Sequence, residues 1–161
     1  MMIAKLIVSV GYVGFLKPAS GTWGSLAAVP LAWLVWLIGG WPLLTIGCVA
    51  AFLIGWWATG RYIAESDNHD PSEVVIDELA GQWIALLPVA IGATHAGLSF
   101  WALWPGIITA FLAFRLFDIW KPGPVGWADR KGDALGVMLD DVIAGIFAAL
   151  VVMAGAYLFH G

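Results

Sequence analysis

Long apolar runs decide what this chain can become. Five stand out: Gly24 to Gly39, Leu43 to about Arg61, Asp77 to about Ala93, Leu98 to about Phe117, and Asp140 to Phe159. A helix crosses a bilayer with about 20 mainly apolar residues, the range being about 17–25. The first run is short for this, and the turn Gly40-Trp41-Pro42 ends it. Only 11% of the chain is charged and 61% is hydrophobic, where soluble domains run at about 25% and roughly 45–50%. Eleven Trp residues fit a chain with membrane–water interfaces to occupy. The expected fold is an all-α integral membrane protein, a bundle of about five transmembrane helices forming one domain over residues 1–161. Its single Cys, Cys48, lies inside an apolar run and reads as a small core hydrophobe.

Residues Ile3 to Leu16 are apolar but interrupted by Gly11 and Gly14. The segment is too short to span and is expected to be interfacial or re-entrant. A cleaved leader would leave Lys17 and the basic loops outside the cell, against the charge pattern that follows.

With the N-terminus in the cytoplasm, Lys5, Lys17, Arg61, Arg115, Lys121, Arg130 and Lys131 all fall on one side. The opposite connections, Gly39 to Pro42 and Gly92 to Ser99, contain no Lys, Arg, Asp or Glu. The positive-inside rule makes the charged side cytoplasmic. The carboxylates share it: Glu65, Asp67, Asp70, Glu73, Asp77 and Glu78 around one loop, and Asp118, Asp129, Asp133, Asp140 and Asp141 around the next. Acidic residues hardly influence orientation, so topology alone does not explain this crowding. Solvated loops are one account of it, and a bound cation is the other. The net charge of −4 argues against a nucleic-acid partner, which surplus Lys and Arg would hold.

Two of the acidic stretches match each other. Asp77-Glu78-Leu79-Ala80-Gly81 and Asp141-Val142-Ile143-Ala144-Gly145 both read Asp-x-(Leu/Ile)-Ala-Gly at the start of an apolar run. Ala and Gly one turn in let two membrane helices approach closely. If these small faces meet, Asp77 and Asp141 lie side by side, with Glu78 and Asp140 beside them. Carboxylates that close repel one another unless a cation neutralises them. Magnesium takes such hard oxygen ligands, and no companion set of His and Cys points to zinc. Helix capping explains one Asp at each opening and two only in part. Asp118 stands at a helix C-terminus, against the dipole, with Arg115 three residues earlier on the same face. Lys121 enters the stiff Lys-Pro-Gly-Pro turn near the same acids, or snorkels to the interface.

Lys17, Gly21, Thr22, Gly24 and Ser25 lie in a Gly- and hydroxyl-bearing stretch before the first apolar run. Free amides and a helix dipole there would suit a phosphate, although plain hydroxyl capping is as good a reading. His69 beside Asp70 is a weaker candidate helper.

Together these stretches resemble the phosphatidylglycerophosphatase A family. The resemblance is carried by Gly21-Thr22-Trp23-Gly24-Ser25, Val75 to Gly81, Arg115-Leu116-Phe117-Asp118-Ile119-Trp120-Lys121-Pro122 and Gly136 to Gly145, and spans about residues 15 to 150. It implies a magnesium-dependent phosphatase of the bacterial inner membrane that acts on a phospholipid, phosphatidylglycerophosphate, and releases phosphatidylglycerol; the charge pattern puts its site at the cytoplasmic face. On that reading Asp77, Glu78, Asp140 and Asp141 hold Mg2+, and Lys17 and Gly21 to Ser25 hold the phosphate. Lys121 and Arg115 balance charge, and Asp118 is a further ligand, a general base or a nucleophile. An ion or solute transporter with an acidic cytoplasmic vestibule is the alternative, although intramembrane charges would then be expected within the spans, and their middles carry none.

Overall fold

The computed structural model describes residues 2–66 and 71–160, and among these there are helices and turns but no strand. Six α-helices follow in order: α1 Met2–Val8, α2 Ser20–Ala64, α3 Ile76–Ala96, α4 Trp104–Trp120, α5 Pro124–Asp129 and α6 Ala134–His160. Four segments are long and apolar enough to cross a membrane: Ser20–Ala64, Ile76–Ala96, Phe100–Trp120 and Ala134–Phe159. The first runs for 45 residues but leaves helical geometry at Gly39 and Gly40, the latter at φ 65°. Glycine accepts that left-handed conformation without a Cβ penalty. Two of the five expected runs are thus the halves of one broken helix.

Two helices begin earlier than their sequence pattern suggests, and each shift has a local cause. Helix α2 starts at Ser20 rather than Gly24, so the Gly-rich stretch is helix and not loop. Its glycines make room for neighbours. A Cβ at Gly24 would stand 2.8 Å from the Val75 Cβ. Helix α6 starts at Ala134 rather than Asp140 because Asp133 caps it: its Oδ1 accepts the Gly136 N–H at 2.7 Å. Asp140 and Asp141 therefore sit inside the helix, and end capping is not their task.

The N-terminal segment folds back on the bundle. Helix α1 has seven residues, too few to cross a bilayer, and packs against α2. The Val75 N–H donates to the Val8 carbonyl at 2.8 Å, and Gly14 lies directly against the Glu73 backbone. This segment thereby braces the stretch leading into α3.

Helices α3 and α6 approach backbone to backbone. A Cβ at Gly81 would lie 2.5 Å from the Asp141 carbonyl oxygen, and one at Gly145 would collide with the Gly81 backbone. Asp77 lies beside Asp141 and, one turn on, Gly81 lies against Gly145, so the two helices run in the same direction. Ala85, Ala90, Ala144 and Ala148, all fully buried or nearly so, continue the core from this crossing. Two tryptophans serve as interhelical ties and not as surface anchors. Trp83 Nε1 donates to Ala28 O at 2.9 Å, and Trp36 Nε1 donates to Ala90 O at 3.1 Å. Others, such as Trp104, Trp120 and Trp127, are exposed.

Overpacking a close-packed contact costs about 1–3 kcal/mol and occasionally more. Gly145→Val is therefore expected to lower the thermal midpoint in detergent by several degrees and to remove activity, whereas Gly155→Val, with nothing near its Cβ, should do neither. Thermal melts of the two purified variants check this.

Candidate active site

The helix ends gathered by this crossing enclose a polar cavity of about 280 Å³. Its walls include Ser20, Ser72, Asp77, Glu78, Asp118 and Lys121, with Asp129, Asp140 and Asp141. Helix α3 supplies Asp77 and Glu78 from its first turn. Helix α6 supplies Asp140 and Asp141, and Asp118 comes from the last turn of α4. Asp77, Asp140 and Asp141 are only 9%, 5% and 2% exposed.

Oxygens of Asp77, Glu78 and Asp141 lie within 4.8 Å of one another, and so do oxygens of Asp118, Asp140 and Asp141. Asp141 belongs to both groups. Its Oδ2 is buried with no hydrogen-bond partner among the described residues, as is Glu78 Oε2. Buried acceptors left unpaired are costly, and a divalent cation is the partner that this oxygen-only donor set fits.

Two basic side chains partly offset the charge. Arg115 bonds Asp118 through Nη1 and stands 4.0 Å from Glu78 Oε1. Lys121 reaches Asp140 Oδ2 at 2.6 Å and Asp129 Oδ1 at 2.8 Å. Burial pulls the Lys121 pKa down, but the bonds to Asp129 and Asp140 outweigh this and hold it above the ordinary lysine value. The residue is placed by a left-handed backbone, φ 53°, that ends α4. Six carboxylates still face two cations around the cavity.

The sequence profile of the phosphatidylglycerophosphatase A family matches residues 6–156, which include every element around the cavity. The chain belongs to the phosphatidylglycerophosphatase A family. It is accordingly a phosphoric monoester hydrolase, and the transport alternative is not favoured. A Haemophilus influenzae phosphatidylglycerophosphatase A is 37% identical over 94% of this chain and 88% of its own length. The Escherichia coli protein of the same name is 31% identical over 89% and 78%. A Bacteroides thetaiotaomicron relative, provisionally named a phosphatidylinositol-3-phosphatase, is 35% identical over 91% and 90%. No solved structure gives a significant match.

Within this phosphatidylglycerophosphatase A family chain, the acidic candidates and Lys121 share one cavity, but most of the expected phosphate cradle lies elsewhere. Ser25 is buried and its hydroxyl donates to Gly21 O at 2.9 Å. Gly24 is packed on Val75. Lys17 is exposed, and neither it nor Thr22 lines the cavity. The reason is the early start of α2, whose amides are already committed: Thr22 N–H and Trp23 N–H both donate to Ala19 O. Gly21 does touch the site. A Cβ there would strike Glu78 Oε1 and come within 3.1 Å of Arg115 Nη1. Asp67, His69 and Asp70 lie outside the described residues.

Sequence reasoning missed the place of Ser20 at the cavity and left Asp129 among the loop carboxylates. Ser20 lines the cavity and donates to Ser72 O. Gln82, one turn beyond Glu78, is fully buried with neither amide atom paired.

A displacement of about 1 Å in a catalytic group can cost roughly 10²-fold in rate. Gly21→Ala should lower kcat by about that factor by pushing the Glu78 carboxylate aside, while the helix-favouring change leaves the thermal midpoint near that of the parent. Steady-state kinetics beside a thermal melt checks it.

Proposed function

We propose that the chain hydrolyses the terminal phosphomonoester of phosphatidylglycerophosphate at the cytoplasmic face of the bacterial inner membrane, with magnesium bound among Asp77, Glu78, Asp140 and Asp141. The observation that carries the metal is the unpaired, buried Asp141 Oδ2 between two groups of carboxylates. The substrate comes from the names of the Haemophilus and Escherichia relatives. The side of the membrane comes from the seven basic residues that fall together when five spans are threaded with the N-terminus inside.

A phosphomonoester is strongly anionic and the cavity is already acidic, so charge must be neutralised before the two can meet. Asp77, Glu78, Asp140 and Asp141 would hold magnesium, which when bound would supply that neutralisation and Lewis acidity toward phosphate and water. Arg115, beside Asp118 and Glu78, and Lys121, bonded to Asp129 and Asp140, contribute the remaining positive charge. Arg115 also fixes Asp118, so this carboxylate is oriented to take the proton of an attacking water. The P–O bond to the glycerol breaks as the water oxygen bonds to phosphorus, and the glycerol oxygen leaves with a proton from solvent. Gly21 lets the start of α2 close over Glu78 without a side chain in the way.

Purified protein in detergent should release phosphate from phosphatidylglycerophosphate with magnesium, stop with EDTA, and recover when magnesium is restored. Asp77→Asn and Asp141→Asn should each reduce turnover to background while still inserting into membranes. Phosphatidylinositol-3-phosphate in the same assay should turn over more slowly. Undiminished turnover in EDTA would remove the metal, and a preference for the inositol lipid would remove the substrate.

A further inference from the structure

A second cavity opens on the outer flank of the bundle, between α2 and α4. It has a volume of about 450 Å³, and no polar atom contributes to its surface. Leu26, Val29 and Pro30 form one wall, and Ile107, Ile108, Phe111 and Leu112 form the other. Trp101, from the turn before α4, closes the end remote from the acidic site.

The position of this groove gives it meaning. Residues three or four apart share a helix face, so Pro30 and Leu26 lead back along α2 to Thr22. On α4, Ile108, Phe111 and Leu112 lead to Arg115 in the same way. At about 1.5 Å per residue, Leu26 and Leu112 stand roughly one turn from Thr22 and Arg115. The groove therefore points along both helices toward the packed contact of Gly21 with Glu78 and Arg115, where a Cβ on Gly21 would lie 3.1 Å from Arg115 Nη1. Polar cavity and apolar groove lie at successive levels of α2 and α4: Ser20 and Asp118 line the first, and Leu26 and Leu112, about 9 Å further along each helix, line the second.

We infer that the groove holds an acyl chain of the phospholipid substrate and so sets the lipid's phosphomonoester against the acidic site. This rests on the reading of the chain as a lipid-phosphate phosphatase and adds to it a tail-binding site. The occupant is argued from that adjacency and from the purely apolar lining. An ester-linked lipid has its phosphate and its tails at opposite ends of a short glycerol link, which suits this spacing. Bilayer tails are as apolar as the groove, so entering it gains little hydrophobic energy. What the groove contributes is position, which catalysis rewards.

Leu26→Trp and Ile108→Trp fill the groove from opposite walls. Leu150→Trp places the same bulk on an exposed position of α6 away from it. Each variant is assayed on two phosphatidylglycerophosphates, one with long acyl chains in mixed micelles and one with chains of four carbons. The parent's turnover of either lipid tests the phosphatase reading separately. Groove filling should cut kcat/KM for the long-chain lipid by roughly tenfold or more, leave the short-chain lipid within about twofold, and spare Leu150→Trp. Equal losses on both lipids, or no loss on the long-chain lipid, would overturn the tail site. Should one variant fail to fold, the opposite wall gives the same reading. A diazirine-bearing acyl chain on the substrate lipid should also label the Trp104–Arg115 peptide in the parent. Excess unlabelled substrate should compete it away and phosphatidylcholine should not; equal competition by both would likewise overturn it.

Discussion

Everything at the acidic site hangs on the contact between Gly81 and Gly145. Two helices that run in the same direction touch backbone to backbone there, one turn beyond Asp77 and Asp141. That spacing fixes the two carboxylates at one depth and brings Glu78 and Asp140 with them. Larger residues at the crossing would part the helices and pull the oxygens of Asp77, Glu78 and Asp141 beyond the reach of a shared cation. Small residues are how membrane helices pack without a hydrophobic drive between them. Here the same small residues also set the spacing of the charged groups.

The cost of that arrangement is electrostatic. Carboxylates held together in a poorly solvated place repel, and each loses hydration that few hydrogen bonds replace. Arg115 and Lys121 relieve part of this, each bridging acids from different elements: Arg115 between α4 and α3, Lys121 between α5 and α6. Glu78 Oε2 and Asp141 Oδ2 remain without protein partners among the described residues. A site organised this way is unstable by itself and suited to a cation and an anionic phosphate arriving together.

Much of this was legible in the sequence because membrane physics writes it plainly. Apolar run lengths gave helices, and the repeated Asp-x-(Leu/Ile)-Ala-Gly gave the α3–α6 pairing. The Lys-Pro-Gly-Pro turn set Lys121 near the acids, although not which acids it would bond. The failures have a common source. A fall in polarity marks where an apolar run begins, but a helix starts where its first amides find acceptors. Asp133 moved the start of α6, and Ala19 moved that of α2. The second shift turned a supposed phosphate loop into packed helix, with Ser25 bonded to Gly21 and Gly24 against Val75. Gly21 kept a place at the site for a reason invisible in one dimension: its neighbour across space is the Glu78 carboxylate.

The central claim is that these acids exist to share a divalent cation, and binding tests it more directly than turnover does. Protein stripped with EDTA and titrated with Mn2+, followed by the loss of the free-ion electron paramagnetic resonance signal, should show saturable uptake that magnesium competes away. Asp77→Asn combined with Asp141→Asn should abolish it in a protein that still melts cooperatively. Unchanged uptake by the double variant, or none by the parent, would contradict the account.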